Sequence, residues 1–422
     1  MNEMSAAEAS AWTCPFCPLA CDHLRLCGGV GEAPLTLAGG ECARASSALA
    51  SFAAEPAVQP ELDGAPCSLD AAIAAAATWL HASRQPLFAG MGTDVAGARA
   101  LYPLACASGA VCDGGEALMQ GLRALQDRGQ FTTTLAEVRT RADVIVFIGG
   151  VPLDVAPLIG TRCGIGDSQV AQRHIVVVGP AAADAATLAN WAGQGGVAVE
   201  SLPLSGDLFD TVSLLAALVN ERLPDSASPT LAALAQRLRQ ARYAVLVGAP
   251  PRLPAQGGLI VEAVHNIVGT LNKTTRAAAL WLGGGNGLAT ANQVFAWLSG
   301  LPLRSRAGPR GLEHEPLCFD GARLLAQGAV DSLLWLASFD AASLPPPNAL
   351  PMIVLGHPAM ASVCRRPGLP TLFIPVATPG IGAAGHVFRT DGTVLMPLHA
   401  VVDQGLPTMA EVLLRITRAL HA

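Results

Sequence analysis

Five of the eleven cysteines of this 422-residue chain lie within its first 42 residues, and three of them form a compact run. The run is Cys14-Pro-Phe-Cys17-Pro-Leu-Ala-Cys21, a C-x2-C-x3-C spacing, and Cys42 follows 21 positions later. Three thiolates from one tight loop and a fourth from a distant segment match the ligand set of a 4Fe-4S cluster. The sequence therefore predicts an iron–sulfur-type metal site at Cys14, Cys17, Cys21 and Cys42.

The residues alone leave two other interpretations of this cysteine site open. Zinc is one, although zinc ribbons pair two short knuckles and the sequence has no second knuckle. The other is an inherited but vacant site in a lobe held together by packing. Cys27, on a predicted hairpin strand, could replace Cys42 as the fourth ligand. The remaining six cysteines are scattered and are interpreted as apolar core side chains: Cys67, Cys106, Cys112, Cys163, Cys318 and Cys364.

Charged side chains make up only 14% of the chain, against roughly 25% in an average soluble domain. Either the composition is simply rich in alanine, or the chain is a permanent subunit with large apolar interfaces. The net charge of -6 and the single lysine, Lys273, argue against nucleic acid as a partner. No apolar run approaches the ~18 residues of a membrane-spanning helix. Without an export signal, the cysteines indicate a cytoplasmic protein.

Beyond residue 55 the sequence alternates between helical segments and short apolar strands that end in Gly or Pro. Ser68 occupies the N-cap position before a predicted helix over 69–82, and a second helix is predicted over 228–240. The predicted strands cover residues 87–90, 110–113, 143–149, 175–179, 197–201, 243–248, 277–283, 331–337, 352–356 and 371–376. Unbroken apolar strands of this kind are typical of parallel sheets buried on both faces.

We therefore predict an α/β chain in which a small N-terminal cysteine-rich lobe precedes two Rossmann-like doubly wound domains. The lobe covers 1–55 and contains a hairpin of 22–27 and 35–37 around a turn at 28–31. The first α/β domain is discontinuous, over 56–130 and 300–422, and the second covers 131–299.

Four segments, spread over nearly the whole chain, carry a family resemblance. They are 14–26 (CPFCPLACDHLRL), 125–152, 289–302 and 379–397. In these segments the chain resembles the B subunit of tungsten- or molybdenum-dependent formylmethanofuran dehydrogenases, relatives of pterin-dependent formate dehydrogenases. The resemblance implies a formate-dehydrogenase-like fold, a 4Fe-4S cluster on the N-terminal cysteines, and a bis-pterin cofactor between the α/β domains, with a Cys-His pair in which the cysteine ligates the metal.

The chain departs from this family at two places that hold the pterin and its metal. The family Cys-His falls near Met119-Gln120, and a neutral thioether cannot replace a thiolate on a high-valent metal. Val151 stands where relatives have an asparagine that holds a nucleotide end of the pterin. The sequence therefore predicts that a tungsten or molybdenum pterin is absent. The glycine-rich segment 282–287 could cradle a phosphate but is interpreted as a tight turn.

The chain also resembles the B subunit of the homologous formyltransferase/hydrolase complex of methylotrophic bacteria. This resemblance implies a non-redox structural subunit that binds the A, C and D subunits of a hetero-oligomer. The complex moves a formyl group from formyl-tetrahydromethanopterin through methylofuran to formate. No catalytic or cofactor-binding residue is assigned to this chain. Two alternatives are an active dehydrogenase B subunit with pterin and metal, and an electron-carrying iron–sulfur subunit without pterin.

The remaining conspicuous residues are interpreted as structural. His314 and His357 lack partners at metal-ligand spacing, and Arg389 with Asp391 is a loop pair that fixes backbone. The run Pro345–Pro347 is a stiff connector. Three tryptophans in apolar contexts are expected in the core or, as the second choice, in subunit contacts: Trp281, Trp297 and Trp335.

Overall fold

The computed structural model describes residues 10–28, 34–39, 42–52, 58–222 and 228–422. They form two compact units, one combining residues up to Glu116 with those from Gly284 onward, the other running from Ala117 to Gly283. Boundaries at residues 55, 130 and 299 stay a prediction. Within the described ranges, no helix is long and apolar enough to span a membrane.

The described residues contain nineteen strands and thirteen α-helices. The strands are β1 (Ser10–Trp12), β2 (Leu24–Cys27), β3 (Thr36–Leu37), β4 (Glu61–Leu62), β5 (Ala65–Pro66), β6 (Pro86–Gly92), β7 (Val111–Cys112), β8 (Val144–Ile148), β9 (Arg173–Val178), β10 (Val197–Leu202), β11 (Ala244–Gly248), β12 (Ala277–Trp281), β13 (Ser305–Gly308), β14 (Gly311–His314), β15 (Ser332–Ala337), β16 (Met352–Gly356), β17 (Thr371–Pro375), β18 (Gly385–Phe388) and β19 (Leu395–Leu398). The helices are α1 (Ala43–Ala50), α2 (Leu69–Ala82), α3 (Val95–Ser108), α4 (Glu116–Arg128), α5 (Leu135–Arg141), α6 (Ile159–Arg162), α7 (Ala185–Ala192), α8 (Leu208–Val219), α9 (Pro229–Gln240), α10 (Gly257–Leu271), α11 (Leu288–Ser299), α12 (Gly321–Ala326) and α13 (Met409–Leu420).

Side-chain caps fix the starts of several helices. Ser68 accepts a hydrogen bond from the Ala71 amide at 3.2 Å, which confirms the predicted start of α2. Asp94 accepts from the Gly97 amide at 2.9 Å and starts α3 directly after β6. Each cap satisfies an amide that the helix itself leaves without a partner, so polar residues at these positions set the helix boundaries.

The first unit is built on a nine-stranded mixed sheet in the order β14-β13-β7-β6-β15-β16-β17-β4-β5. Its central strands β7, β6, β15, β16 and β17 are parallel, and antiparallel strands close both edges. Helices α2, α3, α11 and α13 pack together along this sheet. The apolar cluster containing Leu87 and Leu333 is instead completed by side chains from α12 and from irregular segments.

The second unit has a five-stranded, fully parallel sheet in the order β10-β9-β8-β11-β12. Helices α8, α9 and α10 cover the face that carries Val146 and Val176. Side chains alternate between faces along a strand, so Phe147 points to the other face, where it stacks on Trp191 of α7 at 5.4 Å. Helices therefore cover both faces, which confirms the predicted α/β class.

The N-terminal cysteine-rich region forms a three-stranded antiparallel sheet, β1-β2-β3. The predicted hairpin is present, with Leu26 opposite Leu37, while turn residues 29–31 lie outside the described ranges. Trp12 Nε1 donates to the Gly380 carbonyl at 2.9 Å, and Ala20 belongs to an apolar cluster with Phe339 and residues of β18 and β19. This region is thus packed onto the rest of the first unit.

Candidate functional site

The loop between β1 and β2 carries three of the four predicted metal ligands, and all three are buried. The Cys14 amide donates to the Cys21 carbonyl at 2.9 Å, and the Ala20 amide donates to the Cys17 carbonyl at 3.2 Å. Ala20 adopts a left-handed conformation, φ +41°, which lets the chain turn back on itself. The C-x2-C-x3-C segment therefore forms one closed loop in which the three cysteine side chains are buried.

Cys42, the fourth predicted ligand, lies beside this loop. It is buried at the N-terminus of α1, and Arg44 of the same helix donates to the Phe16 carbonyl at 2.5 Å, which ties α1 to the cysteine loop. Cys42 lies close enough to Cys14 to raise the pKa of that thiol. Cys27, the other candidate for the fourth ligand, is half-buried at the end of β2. The geometry favours Cys42.

The thiols of this loop are electrostatically linked. A hydrogen bond from the Cys21 side chain lowers the pKa of Cys17 to about 7, against the opposing effect of burial. Burial raises the pKa of Cys14, and the neighbouring Cys17 raises it further. One thiol is thus partly ionised at neutral pH, and a second is held neutral by its environment. A metal centre would compensate the charge of several thiolates in such a buried loop.

The four cysteines match the ligands of a 4Fe-4S cluster in number and donor type, and all four are buried, but the structure does not bring them into a metal-binding arrangement. Among the residues that the structure describes, no group of three or more His, Cys, Asp or Glu side chains is arranged to hold a metal ion. A single zinc ion requires its thiolates within about 2.3 Å of one point, whereas a cubane spreads four thiolates over four irons. The assignment of metal to Cys14, Cys17, Cys21 and Cys42 stays a prediction.

A series of aromatic contacts connects the cysteine loop with His357. Trp12 and Phe16 lie 5.8 Å apart, Phe16 stacks on Phe52 at 6.2 Å, and Phe52 contacts the ring of His357 at 4.6 Å. His357 Nδ1 accepts from the Ala359 amide at 3.1 Å, so Nε2 carries the proton toward Ser51 Oγ at 3.3 Å. Burial lowers the pKa of His357 to about 4. His357 is therefore a neutral packing and hydrogen-bonding residue.

The carboxyl edge of the first unit's sheet is where a doubly wound domain would bind a ligand, between β6 and β15. Here Ser338 donates to the Gly92 carbonyl through both its amide, at 2.9 Å, and its hydroxyl, at 2.8 Å. Two buried polar atoms at this edge have no partner among the described residues, Thr93 Oγ1 and Asn286 Oδ1. Ser338 and Gly92 thus join the two strand ends directly.

The glycine-rich segment beside this edge is filled by the protein itself. Gly287 has φ +85°, and a methyl group there would lie 2.2 Å from the Thr93 carbonyl oxygen. A methyl group on Gly285 would lie 3.0 Å from the Pro18 ring. The Ala289 amide donates to the Gly284 carbonyl at 2.9 Å, which closes the turn. These glycines allow close packing, in agreement with a tight turn and against a phosphate cradle.

The equivalent edge of the second unit, between β8 and β11, is also occupied by side chains of the chain. Val151 is buried, and its amide donates to Asp184 Oδ2 at 3.2 Å. The Ala181 amide donates to the same oxygen at 2.9 Å, and Arg252 donates to the Val151 carbonyl at 2.7 Å. The amides of Val151 and Ala181 and the Val151 carbonyl are thus already paired within the chain. The Asp184 carboxylate beside them would repel a phosphate.

The position of the expected metal ligand holds no thiol. Met119 is fully buried in α4, and the next side chain, Gln120, is buried with its Oε1 lacking a partner in the described part of the chain. The nearest cysteine in sequence, Cys112, is buried on β7, and burial raises the pKa of its thiol far above the ordinary value. Met119 offers only a neutral thioether to a tungsten or molybdenum centre, and Cys112 lies seven positions earlier in the chain, on the preceding strand.

The other predicted residues have structural surroundings. His314 Nδ1 lies 3.0 Å from the Arg304 carbonyl, and Arg389 donates to Asp391 at 2.6 Å within the β18–β19 turn, as expected for a backbone-fixing pair. The core interpretation of Trp297 is wrong, because 58% of this residue is exposed and it packs edge-on against Phe388. Sequence reasoning also missed Asp184 and the buried Arg304, neither of which lies in a recognisable motif.

Comparisons with known proteins identify the relatives of the chain. No family model matches the chain. The chain is 35% identical over 283 residues to the B subunit of the formyltransferase/hydrolase complex Fhc of Methylorubrum extorquens, covering 66% of this chain and 74% of that protein. It is 26% identical over 320 residues to the B subunit of tungsten-containing formylmethanofuran dehydrogenase 2 of Methanocaldococcus jannaschii, covering 70% and 69%.

A solved structure shows the same relationship. A chain in the crystal structure of the formyltransferase/hydrolase complex FhcABCD of Methylorubrum extorquens with methylofuran superposes with a TM-score of 0.72 at 30% identity. The match covers 86% of the present chain and 98% of the crystallised one. The similarity therefore includes both the fold and most of the length.

Proposed function

The chain belongs to the family of B subunits of formyltransferase/hydrolase complexes, and from that membership we propose that it is the non-redox framework subunit of such a complex. It assembles with A, C and D subunits in the cytoplasm. The complex moves a formyl group from formyl-tetrahydromethanopterin through methylofuran to formate. This chain supplies architecture, and the reacting groups reside on its partners.

One observation carries the proposal: no thiolate stands where the tungsten-containing relatives would ligate their metal. Met119 is buried there, and its thioether offers no charge to a high-valent metal. Val151 also supports a non-redox role, because its amide and carbonyl are paired with Asp184 and Arg252. Selection for packing persists when chemistry is lost, so a fold can outlast its active site.

The predicted iron–sulfur site is compatible with this role. When bound, a 4Fe-4S cluster supplies reversible electron transfer, and in a non-redox subunit it would act as a folding ligand. Cys14, Cys17, Cys21 and Cys42 would hold it, with Arg44 fixing α1 against the loop. The ring of Trp12 lies 5.8 Å from that of Phe16, which stands between Cys14 and Cys17 in the sequence.

Elemental analysis of the assembled complex tests the proposal. We expect this chain to co-purify with A, C and D subunits and to contain tungsten and molybdenum far below one atom per chain. A tungsten-containing formylmethanofuran dehydrogenase, expressed in the same host with the same metals supplied, is the matched control for metal loading. One tungsten or molybdenum per chain would establish the dehydrogenase alternative. A reducible cluster required for turnover, with neither metal present, would establish the electron-carrying alternative.

A further inference from the structure

We draw no further inference here: the strongest candidate, the open cavity of about 790 Å³ over β6, β15 and α12 in the first unit, exposes an apolar face, and nothing in the structure shows what covers it.

Discussion

The guanidinium of Arg304 and the carboxylate of Asp113 form a buried ion pair at 2.9 Å, although 191 positions separate them in the sequence. Arg304 is only 2% exposed and also pairs with Asp320 and, at 3.1 Å, with Glu116. Asp320 caps α12, so one cation connects the start of β13, the end of β7 and the start of α12. These ion pairs fix the two strands and the helix relative to one another.

Removing this cation should be strongly destabilising. Arg304→Met leaves Asp113 buried without its counter-charge, and we expect a loss of about 3–5 kcal/mol in the free energy of unfolding. Arg128→Met, which breaks an exposed pair with Glu262, should change it by about 0–1 kcal/mol. Chemical denaturation of both variants measures the difference. Equal, small effects would mean that Arg304 is not required to neutralise this site.

The cysteine loop should lose its metal when one ligand is removed. Cys14→Ser replaces a buried thiol inside the predicted cluster site, so bound iron should fall by at least half and the melting temperature by several degrees. Cys27→Ser, at the half-buried end of β2, should retain the iron content and the melting temperature of the wild type. Iron analysis and the visible absorption spectrum are the measurements. Identical melting curves for the two variants would indicate a vacant site.

Restoring a thiol at the lost ligand position should not restore redox chemistry. Met119→Cys introduces the sulfur, but the Val151 side chain still offers no hydrogen bond to a pterin nucleotide, and its backbone groups stay paired with Asp184 and Arg252. Formate-linked dye reduction by the purified complex should stay at the background of the Met119→Ser control. Activity above that background in the cysteine variant alone would contradict the assignment of this chain as a framework subunit.

Two histidines, the buried His357 and the half-buried His265, should make the chain less stable in mild acid. Burial lowers the pKa of His357 and of His265 to about 4, whereas an unfolded histidine titrates near 6.5. Between these values the unfolded state binds more protons, so stability that is present above pH 6.5 falls as the pH drops toward 4, by up to about 3 kcal/mol per residue. The free energy of unfolding, measured by denaturation across this range, shows the slope.

A single substitution separates the two histidines in that experiment. His357→Gln removes one titrating group and should reduce the slope between pH 6.5 and 4 by about half. His81→Gln changes an exposed histidine on α2 and should leave the slope of the wild type unaltered. A slope that His357→Gln leaves unchanged would show that this imidazole has the same pKa in the folded chain as in the unfolded chain.

The sequence was most informative where a local pattern dictates the structure. Strands were found at all ten predicted positions. Central strands such as β8 and β11 are buried on both faces, which requires an unbroken apolar run, whereas the edge strand β10 is mostly half-buried or exposed. The antiparallel strands β13, β14, β18 and β19 were not predicted. They are short and partly exposed, so their side chains carry little hydrophobic signal, and their pairing depends on the turns between them.

By itself, the sequence determined the cysteine spacing, the α/β class and the family of the chain, all of which depend on local order along the polypeptide. Only the tertiary structure decided that Arg304 meets Asp113 and that Trp297 is exposed. These outcomes are contacts between residues distant in sequence. Burial, counter-charge and pKa depend on which distant side chains come together, and no local pattern specifies that.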